Sequence, residues 1–218
     1  MLAFAPALLL LYYSLSGYTW PKSQVVYFDD RWIFGFLALG IVAGAALFFL
    51  ELIFAYPGFA VPMLFIVAEE LAMTVILNFP SVRRKGSGRF YGFAFGTAIS
   101  AGIVMGEYAE LFTYRGYDLI GMAVLFVYSV GLELVGASTG GIVGLAVESR
   151  KLPYGLAMAI VFQAAFGLLN FPVLHFQPSS LTAFFAAGGT GMSVALYLYV
   201  LKRILPPRKT EERKKRII

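Results

Sequence analysis

The chain has no cysteine and a single histidine, His175, in 218 residues. The first absence excludes disulfides, thiolate zinc sites, iron–sulfur clusters and cysteine nucleophiles. The second excludes any site that needs two imidazoles from one chain. Charge is scarce as well. Asp, Glu, Lys and Arg make up 13% of the residues, about half the ~25% of a soluble domain. Hydrophobic residues make up 60%, and the mean hydropathy is +0.79. An ordinary water-soluble enzyme and a disordered protein are excluded, which leaves an integral membrane protein. A span takes about 20 apolar residues, so the chain has room for about seven spans and little else.

What charge there is falls unevenly. The net charge is +5, but Lys202 to Ile218 hold eight basic and two acidic residues, while the remainder holds nine basic and ten acidic. The excess belongs to a tail. Such a tail suits anionic lipid headgroups at a membrane surface, and nothing in the pattern calls for nucleic acid.

The spans follow from the apolar runs. Met1 to Gly17 is uncharged and lacks the positive n-region of a signal peptide, so it reads as a short retained span. The second runs from about Trp32 to Ala55. Pro57 is expected to turn the chain into the third, about Gly58 to Phe79, which Pro80 ends. A basic loop from Arg83 to Arg89 leads to the fourth, about Phe90 to Phe112. A turn around Arg115 and Asp118 leads to the fifth, about Leu119 to Val147. Leu152 to Leu201 carries no Asp, Glu, Lys or Arg. Pro172, Pro178, Ser179 and Ser180 are expected to divide it into a sixth and a seventh span, with His175 in the loop between them.

With seven spans and a cytoplasmic tail, the inner side holds Lys22, Arg31, Arg83, Arg84, Lys85, Arg89, Arg150, Lys151 and the eight basic tail residues; the outer side holds only Arg115. This asymmetry sets the orientation. The expected fold class is all-α: a multi-pass helical membrane protein of the cell membrane, with its N-terminus outside and its C-terminus cytoplasmic. Residues 1–201 form one transmembrane domain and 202–218 a basic cytoplasmic tail. No internal repeat stands out, although Gly188, Gly189, Thr190 and Gly191 are candidates to interrupt the last span.

Small residues recur every four positions: Gly136, Gly140 and Gly144; Gly92, Gly96 and Ser100; Ala98, Gly102 and Gly106; Gly40 and Gly44. This spacing lets helix backbones approach closely. Because several spans carry it, packing within one chain is preferred to a dimer interface.

Six glutamates fall inside the expected spans: Glu51, Glu69, Glu70, Glu107, Glu110 and Glu133. No lysine or arginine lies in a span interior to pair with them. A charged side chain at the bilayer centre costs at least about 2.5–3.5 kcal/mol. These groups must therefore be protonated, face water or meet a cation. Glu69 and Glu70 sit midway along the third span, Glu133 along the fifth and Gln163 along the sixth. Glu107 lies in the outer half of the fourth, while Glu51 and Glu110 lie near span ends, where an interfacial carboxylate is equally expected. Adjacent helical residues point about 100° apart, so one of Glu69 and Glu70 should face a cavity while the other braces a neighbouring helix. A carboxylate so placed suits general acid or base work on water. Gly96, Ser100, Ile103 and Glu107 share one face, and Glu133, Gly136 and Gly140 share another. Gln163 and Asn170, seven apart, could add neutral hydrogen bonds to the same cavity.

Two segments carry a resemblance. One is Ala68-Glu69-Glu70-Leu71-Ala72. The other is Tyr91-Gly92-Phe93-Ala94-Phe95-Gly96, leading through Gly102 to Glu107-Tyr108. Together they resemble the PrsW-type intramembrane proteases, of the superfamily that also holds the CAAX-prenyl endopeptidases and the anterior-pharynx-defective subunit of gamma-secretase. The resemblance covers Val67 to Tyr108 and extends loosely through Ser138–Gly144 and Gln163–Asn170. It implies Glu69, Glu70 and Glu107 as catalytic candidates, and a cavity completed by Glu133, Gln163, Asn170 and Ser100. The departures are specific. The family's basic residue would fall near Met73 or Thr74, and the usual Asn after the fourth-span glutamate is Tyr108. One family histidine would fall near Glu133 or Gly136 and the other near Gln163 or Phe166, yet neither is present. A catalytic zinc normally takes three protein ligands, often histidines with a carboxylate. The donors left here suit harder ions; no metal ligand set and no cofactor is assigned, and a divalent metal stays open as an alternative.

Three functions follow as expectations. The first is a PrsW-like protein with a degenerate or altered protease centre, a pseudoprotease that binds a membrane peptide or a transmembrane partner in its glutamate-lined cavity. The second is a working glutamate-dependent intramembrane peptidase. The third is a small proton- or cation-coupled transporter.

Overall fold

A computed structural model describes residues 4–18, 27–54, 60–115, 119–175 and 179–205. Lys22, Pro57, Asp118, Pro178 and the tail from Pro206 lie outside the described residues, as do the side chains of Arg115 and His175. The helices, in chain order, are α1 (Ala5–Leu15), α2 (Asp30–Ile53), α3 (Ala60–Leu77), α4 (Pro80–Arg83), α5 (Gly88–Glu110), α6 (Leu119–Ser149), α7 (Leu152–His175) and α8 (Ser180–Arg203). A π-helical turn, Leu111–Arg115, prolongs α5. No strand occurs among the described residues.

The helix ends have local causes. The Asp29 side chain accepts from Arg31 N at 3.0 Å and caps α2. Ser179 and Thr182 form a reciprocal capping box on α8. Pro80 does not simply end α3: it opens the short α4, where its missing N–H is harmless. At the end of α6, Lys151 N donates to Ala146 O (2.9 Å) and Arg150 N to Val147 O (3.4 Å), with Arg150 at φ 58°. This is a Schellman close with arginine in the position glycine prefers.

Two expectations are corrected in the second half of the chain. Pro172 lies inside α7, and His175 is the last residue of that helix and not part of the following loop. Helices packed among others in a membrane tolerate an internal proline. The glycines near Gly189 do not interrupt α8, which is continuous from Ser180 to Arg203. Gly189 is a packing position, the space beside it filled by Asn170 of α7, whereas nothing stands within 4 Å of a Cβ at Gly188 or Gly191; Thr190 donates to Val127 O of α6 at 2.8 Å.

Five helices, α2, α3, α6, α7 and α8, are long and apolar enough to cross a membrane, the signature of an integral membrane protein. Two further helices fall short for different reasons. α1 has 11 residues, about 16 Å. α5 has 23 residues, of which 17 are buried, and it carries Arg89, Glu107 and Glu110. It sits at the centre, with α2 on one side and α6 on the other.

The glycine stripes explain that position. A Cβ on Gly92 or Gly96 would come under 3.0 Å from the carbonyl oxygen of Gly140 or Gly136, and one on Gly88 from that of Gly144. The paired positions run in opposite directions, so α5 and α6 pack antiparallel, glycine to glycine, for three turns. Across α5, Gly40 and Gly44 of α2 meet Ala98, Ile99 and Gly102 in the same way. The buried residues of α2, Ile33, Phe36, Gly40, Gly44 and Phe48, form one stripe at helical spacing.

Polar contacts gather at one end of the bundle. Arg89 holds Glu148 through its backbone N (2.9 Å) and its guanidinium, and donates to Ile204 O at 3.1 Å. Lys85 pairs with Asp29 at 3.5 Å and stands over the Trp32 ring. These contacts bring the starts of α2 and α5 and the ends of α6 and α8 together with Arg83, Arg84 and Arg150, so basic residues crowd this end.

Candidate functional site

The opposite half of the bundle holds a pocket with about 720 Å³ of empty space, its open mouth included. Its walls come from the second half of α2, the first half of α3, the end of α5, the first half of α6 and the second half of α7. α3 packs chiefly on α7 and α6 and meets α2 only lightly, so the pocket lies where α2 and α3 separate.

Five of the lining residues are polar: Glu51, Glu69, Glu107, Tyr128 and Gln163. The others are aliphatic or aromatic, apart from Pro62 and Gly167. No lysine, arginine or histidine is among them. Glu69 is 4% exposed, and its Oε2 accepts from Gln163 Nε2 at 3.2 Å. Tyr128 donates to Glu107 Oε1 at 3.1 Å, and its ring stacks on Phe166 (centroids 5.7 Å, 29°). Glu51, Glu69 and Glu107 are close enough to act electrostatically on one another or on Tyr128. Glu69 Oε1 and Gln163 Oε1 are buried and have no hydrogen-bond partner among the described residues.

The structure thus brings together three of the sequence-derived candidates, Glu69, Glu107 and Gln163. The other four lie elsewhere. Glu70 turns away from the pocket into the α3–α6 interface beside Thr139. Thr139 donates to Gly136 O instead (3.3 Å), and both Glu70 oxygens lack a partner. The adjacent pair therefore divides between a pocket-facing and a buried carboxyl. Glu133 is fully buried in α6, with both oxygens unpartnered, and Tyr108 is near it. Ser100 packs on Gly136 across the α5–α6 seam. Asn170 donates to Phe166 O (3.0 Å) and packs on Gly189.

Two pocket residues had a weak sequence signal. Glu51 follows Gly44 and Phe48 by seven and three positions, on the stripe that α2 turns inward, which outweighs its place near a span end. Tyr128 had no distinguishing spacing, since only the fold brings it to Glu107.

The donor set was also tested for a metal. No group of three His, Cys, Asp or Glu side chains able to hold a metal ion occurs among the described residues. The pocket glutamates are spread around the walls and do not converge on one point, so no chemical step is routed through a metal here. Comparisons with protein-family models, curated proteins and solved structures find no match.

Proposed function

We propose that this chain is a PrsW-like membrane protein whose glutamate-lined pocket binds a membrane peptide or a transmembrane partner, in place of the family's histidine-containing protease centre. The observation that carries this reading is the pocket itself: an apolar cleft where α2 and α3 part, with Glu51, Glu69, Glu107 and Gln163 in its walls. The apolar lining suits a side chain or segment drawn from lipid. The missing imidazoles leave no donor of comparable strength for an oxyanion.

The proposed topology has seven spans, α1 and α5 joining the five apolar helices, in the cell membrane. The crowding of basic residues at one end supports a cytoplasmic assignment for that end, with the N-terminus outside. The pocket then lies in the outer half of the bilayer.

A second reading, a glutamate-dependent peptidase, is favoured by the unpartnered Glu69 Oε1, which could accept a proton from water. One experiment separates the two. The protein is reconstituted in vesicles with a labelled transmembrane peptide, cleavage is read by mass spectrometry, and association is read by energy transfer. Bound, intact peptide is expected. Cleavage lost in Glu69→Gln would make the chain a protease. Peptide neither bound nor cleaved would refute both readings.

A further inference from the structure

Two buried acceptors line the pocket without a hydrogen-bond partner among the described residues: Gln163 donates one of its two amide N–H bonds to Glu69 (3.2 Å), while its own oxygen and Glu69 Oε1 are left. Gln163 is 2% and Glu69 4% exposed, so bulk water does not serve them. A buried polar group left without a hydrogen bond is costly. Around these atoms stand two more carboxyl groups, Glu51 and Glu107, and no basic residue is among the described lining residues. The described lining is thus rich in oxygen acceptors, and an occupant that brings N–H donors and positive charge complements it.

The occupant's shape is constrained too. The carboxyl groups do not converge as metal ligands do, while most of the wall is apolar and includes Phe48 and Phe65. A compact cation on an apolar stem fits this distribution. A lysine side chain has three N–H donors at the end of a four-carbon stem, and an ammonium gains further from aromatic faces. Inside a bilayer, a lysine on a partner helix is itself costly to leave unpaired.

We infer that the pocket recognises a primary ammonium group, the lysine side chain of a membrane-spanning partner segment. This rests on the reading of the pocket as a peptide site and names what the peptide must carry.

The test uses the absence of native cysteine. Ile53→Cys, at a position 73% exposed, carries a donor fluorophore on the full chain in vesicles of zwitterionic lipid. Acceptor-labelled peptides share a Leu/Ala transmembrane host with one central-to-outer position occupied by Lys, Gln or Leu. The lysine peptide is expected to associate at least tenfold more tightly than the glutamine peptide. Glu69→Gln should reduce that ratio to below threefold, and Glu107→Gln should lower it too, in case the first variant folds poorly. The exposed, remote Asp30→Asn should leave the ratio intact. Equal association of all three peptides with the unmutated protein would overturn the ammonium inference and leave the peptide site standing. Association of none would overturn both.

Discussion

Glu70 and Glu133 place two carboxyl groups in the interior, and none of their four oxygens has a hydrogen-bond partner among the described residues. Replacing such a group by an apolar one of similar volume removes the unmet desolvation cost. Glu70→Met and Glu133→Met are therefore each expected to stabilise the protein by about 1–3 kcal/mol, read as a higher midpoint of thermal unfolding in detergent. A fall in stability would mean that these carboxyls have partners in the folded protein. Sequence alone marked both residues, because a glutamate in an apolar run is conspicuous. It could not rank them, since Glu69 and Glu70 differ only by 100° of helix rotation, and the neighbours that make one a pocket wall and the other an interior group belong to α6 and α7. Glu51 shows the converse. Its distance along the chain suggested an interfacial role, whereas its register with Gly44 and Phe48 gives it an inward one.

Glycine positions on the helices divide into two kinds by what surrounds them. A Cβ at Gly96 would come under 3.0 Å from backbone atoms of Gly136, whereas nothing stands within 4 Å of one at Gly188. Gly96→Val is expected to destabilise by about 1–3 kcal/mol or more through overpacking. Gly188→Ala should instead gain up to about 1 kcal/mol from reduced backbone freedom in the unfolded chain. Parallel thermal melts of the two variants check the contrast, and equal shifts of one sign would refute it. The four-residue spacing of the α5 and α6 stripes was legible in the sequence, and their facing each other within one chain follows from the antiparallel register. At the end of α6, Arg150 takes a left-handed conformation that costs a non-glycine residue roughly 1–2 kcal/mol. Arg150 is exposed, so Arg150→Gly should raise the unfolding midpoint by a comparable energy. An unchanged or lower midpoint would mean that the arginine makes a compensating contact. Pro172 was the element-scale misreading: proline is a dependable terminator only where freed backbone groups would otherwise meet water or nothing.

The whole molecule has one basic end and one pocket end, and the proposed topology assigns them to opposite sides of the membrane. Single cysteines at exposed Arg84 and Leu119 test it. A membrane-impermeant maleimide should label Leu119→Cys on intact cells and Arg84→Cys only after permeabilisation; the reverse pattern would invert the orientation. The apolar outer helices were legible from hydropathy, because they face lipid. α5 is read as a span from its length and flanking charge, but most of its residues are buried against other helices.

The composition of α5 bears on how the chain is made. A helix rich in glycine and alanine that also carries Arg89, Glu107 and Glu110 gains little by partitioning into lipid on its own, and α5 emerges from the ribosome before α6, the partner that covers its glycine face. In the interval it has chiefly α2 to lean on, with lesser contacts from α1 and α3. Transplanted alone into a reporter of membrane insertion, α5 should be retained less efficiently than α2 or α6, and co-expressed α6 should rescue it. The central helix of this bundle is a late arrival to its own place, secured only when its successor has been synthesised.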